Sequence, residues 1–217
     1  MKELLKTPVF TFVASYLAFG LLGLLEGINE KAIYWVYPLK TVLVGALILF
    51  VWKRLELAKP RHLLLSVGVG IFVLLIWILP YDLIVKESAR QGGYNPFAQF
   101  AGHTAWVLIA FRILGASLIV PVMEEAFIRG FLQRFLVANE FEKVPQGTYT
   151  HLSFWVTTAF FSIAHWGEWM VAIPTGVIFG AWYCYTRSLS SVMVAHGVTN
   201  FLMGGYVLIT GDWAFWC

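Results

Sequence analysis

Long apolar windows alternate with short polar connections along almost the whole chain. A helix needs about 20 apolar residues to cross the hydrocarbon core of a bilayer. Such windows lie at residues 8–25, 32–52, 63–85, 104–123, 152–166, 168–186 and 189–210, and the fourth has a helical extension toward residue 138. The pattern predicts an all-α, polytopic integral membrane protein with about seven transmembrane helices, within a range of six to eight, around a buried polar cavity.

The composition supports this class. Hydrophobic residues make up 59% of the chain and charged residues 12%, whereas about a quarter of the residues in soluble domains are charged. The 217 residues contain no repeat or low-complexity tract, so a single integral membrane domain over residues 1–217 is expected. The net charge of +3 predicts no nucleic-acid partner, because loops at a cytoplasmic leaflet normally carry a small excess of Lys and Arg.

The basic residues are distributed unevenly between alternate connections. With the N-terminus in the cytoplasm, most of them face inward, and this arrangement satisfies the positive-inside rule. The turn-rich segment 86–103 is then the longest outer connection. We therefore expect a cytoplasmic N-terminus. The expected location is a bacterial or archaeal cell membrane. The inner set is Lys2, Lys6, Lys53, Arg54, Lys59, Arg61, Arg134, Lys143 and Arg187, and the outer set is Lys31, Lys86 and Arg90.

Several ionisable or strongly polar side chains lie within or at the ends of the apolar windows. An ionisable side chain in hydrocarbon costs a few kcal/mol or more, so each one is a hypothesis of function. Residues 121–131 read PVMEEAFIRGF and carry two adjacent acids. The full set is Lys40, Arg112, Glu124, Glu125, Arg129, His165, His196 and Asn200.

The two acids of this segment have different expected environments. Glu125 and Arg129 are four residues apart, so on a helix they share a face and can form an ion pair. Glu124 is turned about 100° away from that partner, which suits it to take a proton from water as a general base. The alternative is a charge cluster at the end of a helix, with its side chains extending into the lipid headgroups.

Two further segments, FFSIAHW at 160–166 and HGVTN at 196–200, carry His165, His196 and Asn200. Each could be structural: a packed histidine, or a polar pair that links helices. Taken with the acids they favour amide hydrolysis, because a carboxylate and a histidine can activate water while a histidine and an amide bind the oxyanion. No Ser or Cys nucleophile stands in a recognisable motif beside them.

The three motifs, E-E-x-x-x-R, F-x-x-x-H and H-x-x-x-N, follow one another on separate apolar segments between about residues 104 and 205. In this order they resemble the CPBP family of intramembrane proteases, which includes the CAAX prenyl endopeptidases of the Ras-converting type. The resemblance implies an all-helical membrane fold with a cavity open toward the cytoplasmic side. It also implies hydrolysis by water activated at a glutamate, without a protein nucleophile.

The resemblance carries roles over to the matching positions. It implies that Glu124 is the general base and that His165 helps to hold the water. It further implies that His196 and Asn200 stabilise the oxyanion, while Glu125 and Arg129 shape the site. The expected partner is a membrane-associated peptide or protein, prenylated or not, in the lipid bilayer, and no cofactor is expected. The sequence carries no signal for the oligomeric state or the cleavage site.

Three other functions remain open at this stage. Two histidines and a glutamate could bind zinc in a metal hydrolase, although H-E-x-x-H is absent because Trp166, Gly167 and Glu168 follow His165. Buried acids and histidines also build the proton relays of proton-coupled transporters, although no internal symmetry between two halves is visible. A catalytically idle relative could instead bind a membrane partner as an immunity or scaffolding protein.

Overall fold

A computed structural model describes residue 5, residues 7–80 and residues 93–216. Lys2, Lys6, Lys86 and Arg90, and part of the predicted outer connection 86–103, lie outside the described residues. All regular elements of the described part are helical, and its seven long helices confirm the predicted fold class. They are α1 (Pro8–Gly23), α2 (Ala32–Val51), α3 (Leu63–Ile78), α4 (Gly102–Phe135), α5 (His151–Ala164), α6 (Trp169–Thr186) and α7 (Leu189–Thr210).

The helices have the length and composition of membrane-spanning elements. Among the described residues, four helical stretches are long and apolar enough to cross a bilayer, and α3 and α5 are shorter apolar helices. Their exposed surfaces carry many large apolar side chains, which suit lipid better than water. The protein is therefore an integral membrane protein. The four stretches are Pro8–Ile28, Ala32–Arg54, Gly102–Phe135 and Leu189–Thr210.

The helix ends gather into two opposite faces. The first, here called the basic face, holds the start of α1 and the connections α2–α3, α4–α5 and α6–α7. Hydrogen bonds join these connections: Ser190 Oγ donates to Ala58 O at 2.6 Å, and Ser191 Oγ donates to Arg61 O at 2.8 Å. The backbone N–H of Leu189 donates to Gln146 Oε1 at 2.8 Å, which ties the α4–α5 connection to the same face.

The second face, here called the aromatic face, holds the connections α1–α2 and α5–α6, residues 93–101 and the segment after α7. The backbone N–H of Tyr94 donates to Trp216 O at 2.9 Å, and the Tyr34 hydroxyl donates to Asn95 O at 3.0 Å. Successive long helices run in opposite directions between the two faces. Consequently the N-terminal start of α1 and the C-terminal segment lie at opposite ends of the bundle.

Helix α4 is too long for one straight crossing, since 34 residues at about 1.5 Å each extend about 51 Å against a core near 30 Å. Pro121 is a candidate position for a bend, and irregular turns lie on either side of it. Two π-helical stretches, Gly115–Ile119 and Ala126–Leu132, enclose a regular segment, Val120–Glu125. Such π turns are common at functional sites, and here they flank the two acids.

Helix α7 lies in the middle of the bundle, because two glycines let its neighbours approach closely. A Cβ on Gly70 of α3 would lie 2.4 Å from Ala195 O, and one on Gly197 would lie 2.8 Å from Ser117 O of α4. The Thr199 hydroxyl donates to Gly70 O at 2.8 Å across the first of these contacts. Close packing of small residues is a usual way to join helices in a membrane. It fixes the middle of α7 between α3 and α4.

Candidate active site

A cavity of about 350 Å³ inside the bundle brings together the four residues to which the sequence analysis gave catalytic roles. Glu124 comes from α4, His165 from the end of α5, and His196 and Asn200 from α7. Counting along straight helices places them at different depths. The structure brings them together because α5 ends after 14 residues, so that His165 lies at its C-terminal cap within the bundle.

Glu125 and Arg129 form a buried ion pair, as their spacing predicts. Arg129 Nη1 lies 3.2 Å from Glu125 Oε2, and the side chains are 1% and 0% exposed. Arg129 Nη2 also donates to Gly176 O at 3.4 Å, and the guanidinium lies 5.1 Å from the centre of the Phe161 ring. The arginine therefore links α4 to both α5 and α6.

His196 lies between the two acids, in a contact that the sequence did not predict. Its Nδ1 is 2.9 Å from Glu125 Oε1, and its Nε2 is 4.0 Å from Glu124 Oε2. An ionised carboxylate only accepts hydrogen bonds, so Nδ1 carries a proton and donates it to Glu125. Glu125 thus joins Arg129 and His196 in one buried network, and the Nε2 of His196 faces Glu124.

Glu124 has a different environment from its neighbour. Its side chain is 13% exposed and lines the cavity. The Oε2 atom is buried and has no hydrogen-bond partner among the described residues. A buried carboxylate oxygen without a donor is costly unless water or a ligand supplies one.

His165 and Asn200 are each fixed by one backbone carbonyl. His165 Nδ1 lies 2.8 Å from Phe161 O, and since a carbonyl accepts, Nδ1 is the protonated nitrogen and Nε2 is the acceptor of the neutral ring. Asn200 Nδ2 donates one hydrogen to Ala116 O at 2.8 Å. Ala116 lies in the first π stretch of α4, so that stretch helps to orient the amide. The second hydrogen of Nδ2 is left for another acceptor.

Lys40 and Arg112, also noted as polar residues in apolar windows, line the outer part of the same cavity. Lys40 Nζ lies 2.6 Å from Glu26 Oε1, and the Arg112 guanidinium lies 4.4 Å from the centre of the Tyr37 ring. The sequence analysis did not select Glu26, because an acid in a connection between helices carries no signal of its own.

Glu168 and Trp77 also line the cavity, and the sequence analysis did not select them. Burial raises the pKa of Glu168, which lies in the α5–α6 connection, and nearby His165 opposes that rise. Trp77 Nε1 donates to Thr175 Oγ1 at 2.9 Å, and its ring centre is 6.0 Å from that of His165. Both side chains reach the site because of where their helices pack in the fold. No local sequence motif marks them.

The remaining lining residues show where the cavity leads. Every lining residue outside the long helices belongs to the aromatic face. The cytoplasmic N-terminus and the opening of the cavity toward the cytoplasm both stay predictions. The lining residues nearest the aromatic face are Glu26, Ile33, Trp77, Glu168, Phe215 and Trp216.

A zinc site would need His165, His196 and Glu124 to converge on one point. Among the described residues, no group of three or more His, Cys, Asp or Glu side chains is arranged to hold a metal ion. Hydrogen bonds occupy the Nδ1 atoms of both histidines. Each ring therefore has its Nε2 left for water, substrate or a metal ion, and the absence of a cofactor stays a prediction.

Residues 105–202 match the family described as Type II CAAX prenyl endopeptidase Rce1-like. The match begins in α4 and ends in α7. It therefore contains every residue of the site described above except those before residue 105 and those of the C-terminal segment. No curated protein and no solved structure matches the chain. The three motifs lie within the matched segment in their expected order. This segment, which is a little under half of the chain, is therefore similar to the Type II CAAX prenyl endopeptidases of the Rce1-like family.

Proposed function

We propose that the protein is an intramembrane endopeptidase that hydrolyses a peptide bond of a membrane-associated peptide or protein with water activated by Glu124. One observation carries the proposal. Among the described residues Oε2 of Glu124 has no hydrogen-bond partner and lines a cavity with two histidines and an amide, whereas Oε2 of Glu125, which also accepts no hydrogen bond, is paired with Arg129 at 3.2 Å. A carboxylate in that position can accept a proton from water, and the family consists of endopeptidases.

In the proposed reaction, a water molecule lies between Glu124 and the Nε2 atom of His165. Glu124 accepts one proton of the water, and the water oxygen attacks the carbonyl carbon of the scissile bond. The resulting tetrahedral intermediate collapses when Glu124 returns the proton to the leaving nitrogen. One water is consumed, and the products are a carboxylic acid and an amine.

Asn200 and His196 are the proposed donors to the oxyanion. Asn200 has one N–H held by Ala116 O and a second that can donate. His196 can donate through Nε2 only as an imidazolium, since Nδ1 is already protonated against Glu125.

Glu125 and Arg129 have a supporting role in this proposal. Their contact with His196 holds the imidazole in one orientation, and the bond from Arg129 to Gly176 O fixes the pair against α6. Orienting the donors before the reaction is what makes such groups effective.

The test uses the purified full chain in lipid vesicles with two peptides of the same sequence, one carrying a C-terminal farnesyl group and one without it. Cleavage is followed by mass spectrometry. We expect the wild type to cleave at least one of them and Glu124→Gln to cleave neither. Glu142→Gln is the matched control, because it makes the same change at an exposed position on the basic face. Full activity of Glu124→Gln would contradict the assignment.

The same assay tests the proposal that no cofactor is needed. After exhaustive treatment with a chelator, we expect cleavage to continue at its original rate. Complete loss that added zinc restores would replace the glutamate mechanism with a metal mechanism. The ratio of rates on the two peptides shows whether the enzyme requires a prenyl group.

A further inference from the structure

A second cavity, of about 590 Å³, lies along α4 and α7 and is here called the lateral groove. One edge of each of these helices lines it, together with Trp52 and residues 57–60 of the α2–α3 connection. Trp52, Leu118 and Phe201 are among its lining residues and have exposed side chains. The groove therefore opens sideways, where the apolar surface of the bundle meets the bilayer.

The contact between α4 and α7 separates the lateral groove from the catalytic cavity. Ser117 and Gly197 line the groove, whereas the residues before them, Ala116 and His196, line the catalytic cavity. A Cβ on Gly197 would lie 2.8 Å from Ser117 O, so closely packed backbone forms the wall. Among the described residues none lines both spaces, and the groove is a site of its own.

One polar side chain inside the groove lacks a partner. Ser117 is 7% exposed, and its Oγ has no hydrogen-bond partner among the described residues. By contrast, Ser162 Oγ on α5 donates to the carbonyl of its own helix at Thr158, at 2.9 Å. A buried hydroxyl without a partner is costly, so an acceptor on a bound molecule would stabilise Ser117.

The end of the groove at the basic face is positively charged. Lys59 lines the groove and forms no ion pair with a described residue. Residues 52–61 carry four basic residues and one acid, Glu56. Trp52 favours the headgroup level, and basic pockets between transmembrane helices bind anionic lipid headgroups. The four basic residues are Lys53, Arg54, Lys59 and Arg61.

From these observations we infer that the lateral groove binds one anionic glycerophospholipid. Its phosphate lies beside Lys59, an ester carbonyl accepts the hydrogen of Ser117 Oγ, and an acyl chain lies along α7. The lining residues of α7 extend from Ser190 to Phe201, which is about 16 Å along the helix axis. The inference does not rest on the proposed function, because it involves no residue of the catalytic cavity.

Binding is measured by native mass spectrometry of the purified full chain in a neutral detergent, with dioleoyl phosphatidylglycerol and dioleoyl phosphatidylcholine as probes. We expect one phosphatidylglycerol to bind at least five times more tightly than phosphatidylcholine. Lys59→Gln should remove most of this preference, since one basic residue near an anionic headgroup changes affinity about fivefold. Lys143→Gln is the matched control, because Lys143 lies on the basic face outside the groove. Equal affinity of the wild type for both lipids would overturn the inference.

Ser117→Ala tests the contact with the ester group. Both lipids carry esters, so we expect the variant to weaken the binding of both by a similar factor of about two to ten. Ser162→Ala is the control, because its hydroxyl bonds within its own helix. Wild-type affinity of Ser117→Ala for both lipids would overturn the placement of the lipid in the groove.

Val194→Trp tests the position of the acyl chain, because Val194 lines the groove and a large ring there fills it. We expect phosphatidylglycerol to bind at least tenfold more weakly, whereas Val156→Trp, at an exposed position of α5, should bind it as the wild type does. Unchanged binding by Val194→Trp, or displacement of the lipid by a farnesylated peptide, would overturn the inference. Lys59 is exposed, so Lys59→Gln keeps the test decisive if Val194→Trp does not fold.

Discussion

Glu124 and Glu125 are adjacent in the sequence, yet they belong to two different regions of the site. Glu125 lies in a packed region, where its side chain is 0% exposed and contacts both Arg129 and His196. Glu124 lies in the cavity region, where its side chain is 13% exposed and Oε2 has no hydrogen-bond partner among the described residues. Although the two acids are neighbours on one helix, the side chain of Glu124 lies in the cavity and that of Glu125 lies in the protein interior.

In the proposed mechanism this difference explains why the acid is doubled. A carboxylate that reacts with water cannot also be the permanent partner of an arginine, because each hydrogen bond it accepts lowers its readiness to take a proton. The second carboxylate supplies that partner and also holds His196. The packed region therefore supports the residues of the cavity region.

The largest effect is expected for a residue of the cavity region. If His165 holds the attacking water, His165→Ala should lower the rate of peptide cleavage by about 10²–10⁴-fold, the range for a positioned acid–base group. The thermal unfolding midpoint should change little, because His165 is only partly buried. His103→Ala is the matched control, as His103 is exposed at the start of α4. Unchanged cleavage in His165→Ala would remove this residue from the water site.

The next effect concerns the oxyanion. Asn200→Ala should lower kcat by about 10²–10³-fold, the loss seen when one oxyanion donor is removed. KM should change little, because the bond strengthens only in the transition state. Asn139→Ala, at an exposed position, serves as the control. An increase in KM at constant kcat would make Asn200 a substrate-binding residue and no oxyanion donor.

A residue of the packed region should behave in the opposite way. Arg129→Ala leaves Glu125 buried without its cation, and removal of one partner of a buried ion pair costs about 3–5 kcal/mol. The unfolding midpoint in detergent should fall clearly, and the amount of protein in the membrane should fall with it. Arg54→Ala, on the exposed basic face, should match the wild type in both measurements. If Arg129→Ala is as stable as the wild type but inactive, Arg129 acts in the reaction and is not a supporting residue.

The smallest effect tests the packing that brings α7 to the site. In Gly70→Ala the new Cβ would lie 2.4 Å from Ala195 O, next to His196, so the helices must separate. Overpacking of this kind costs about 1–3 kcal/mol. Gly68→Ala is the control, since a Cβ there meets nothing within 4 Å. If both variants unfold at the same temperature, the close contact of α3 and α7 is not a constraint.

The sequence predicted the parts of this site that depend on local spacing. The pairing of Glu125 with Arg129 follows from one helical turn, and the three motifs identified the helices that carry the site. The contact of His196 with Glu125 could not be predicted, since it joins residues 71 positions apart. The opening of the cavity at the aromatic face could not be predicted either. It depends on where α5 ends and on how the first three helices pack around the matched segment.

The division between the two acids is tested most directly by measuring cleavage rate and unfolding midpoint together for Glu124→Gln and Glu125→Gln. We predict that Glu124→Gln loses cleavage and keeps the wild-type midpoint, whereas Glu125→Gln lowers the midpoint because Arg129 and His196 lose their shared carboxylate. Two results would contradict the account. Either Glu124→Gln cleaves at the wild-type rate, or its unfolding midpoint falls as far as that of Glu125→Gln.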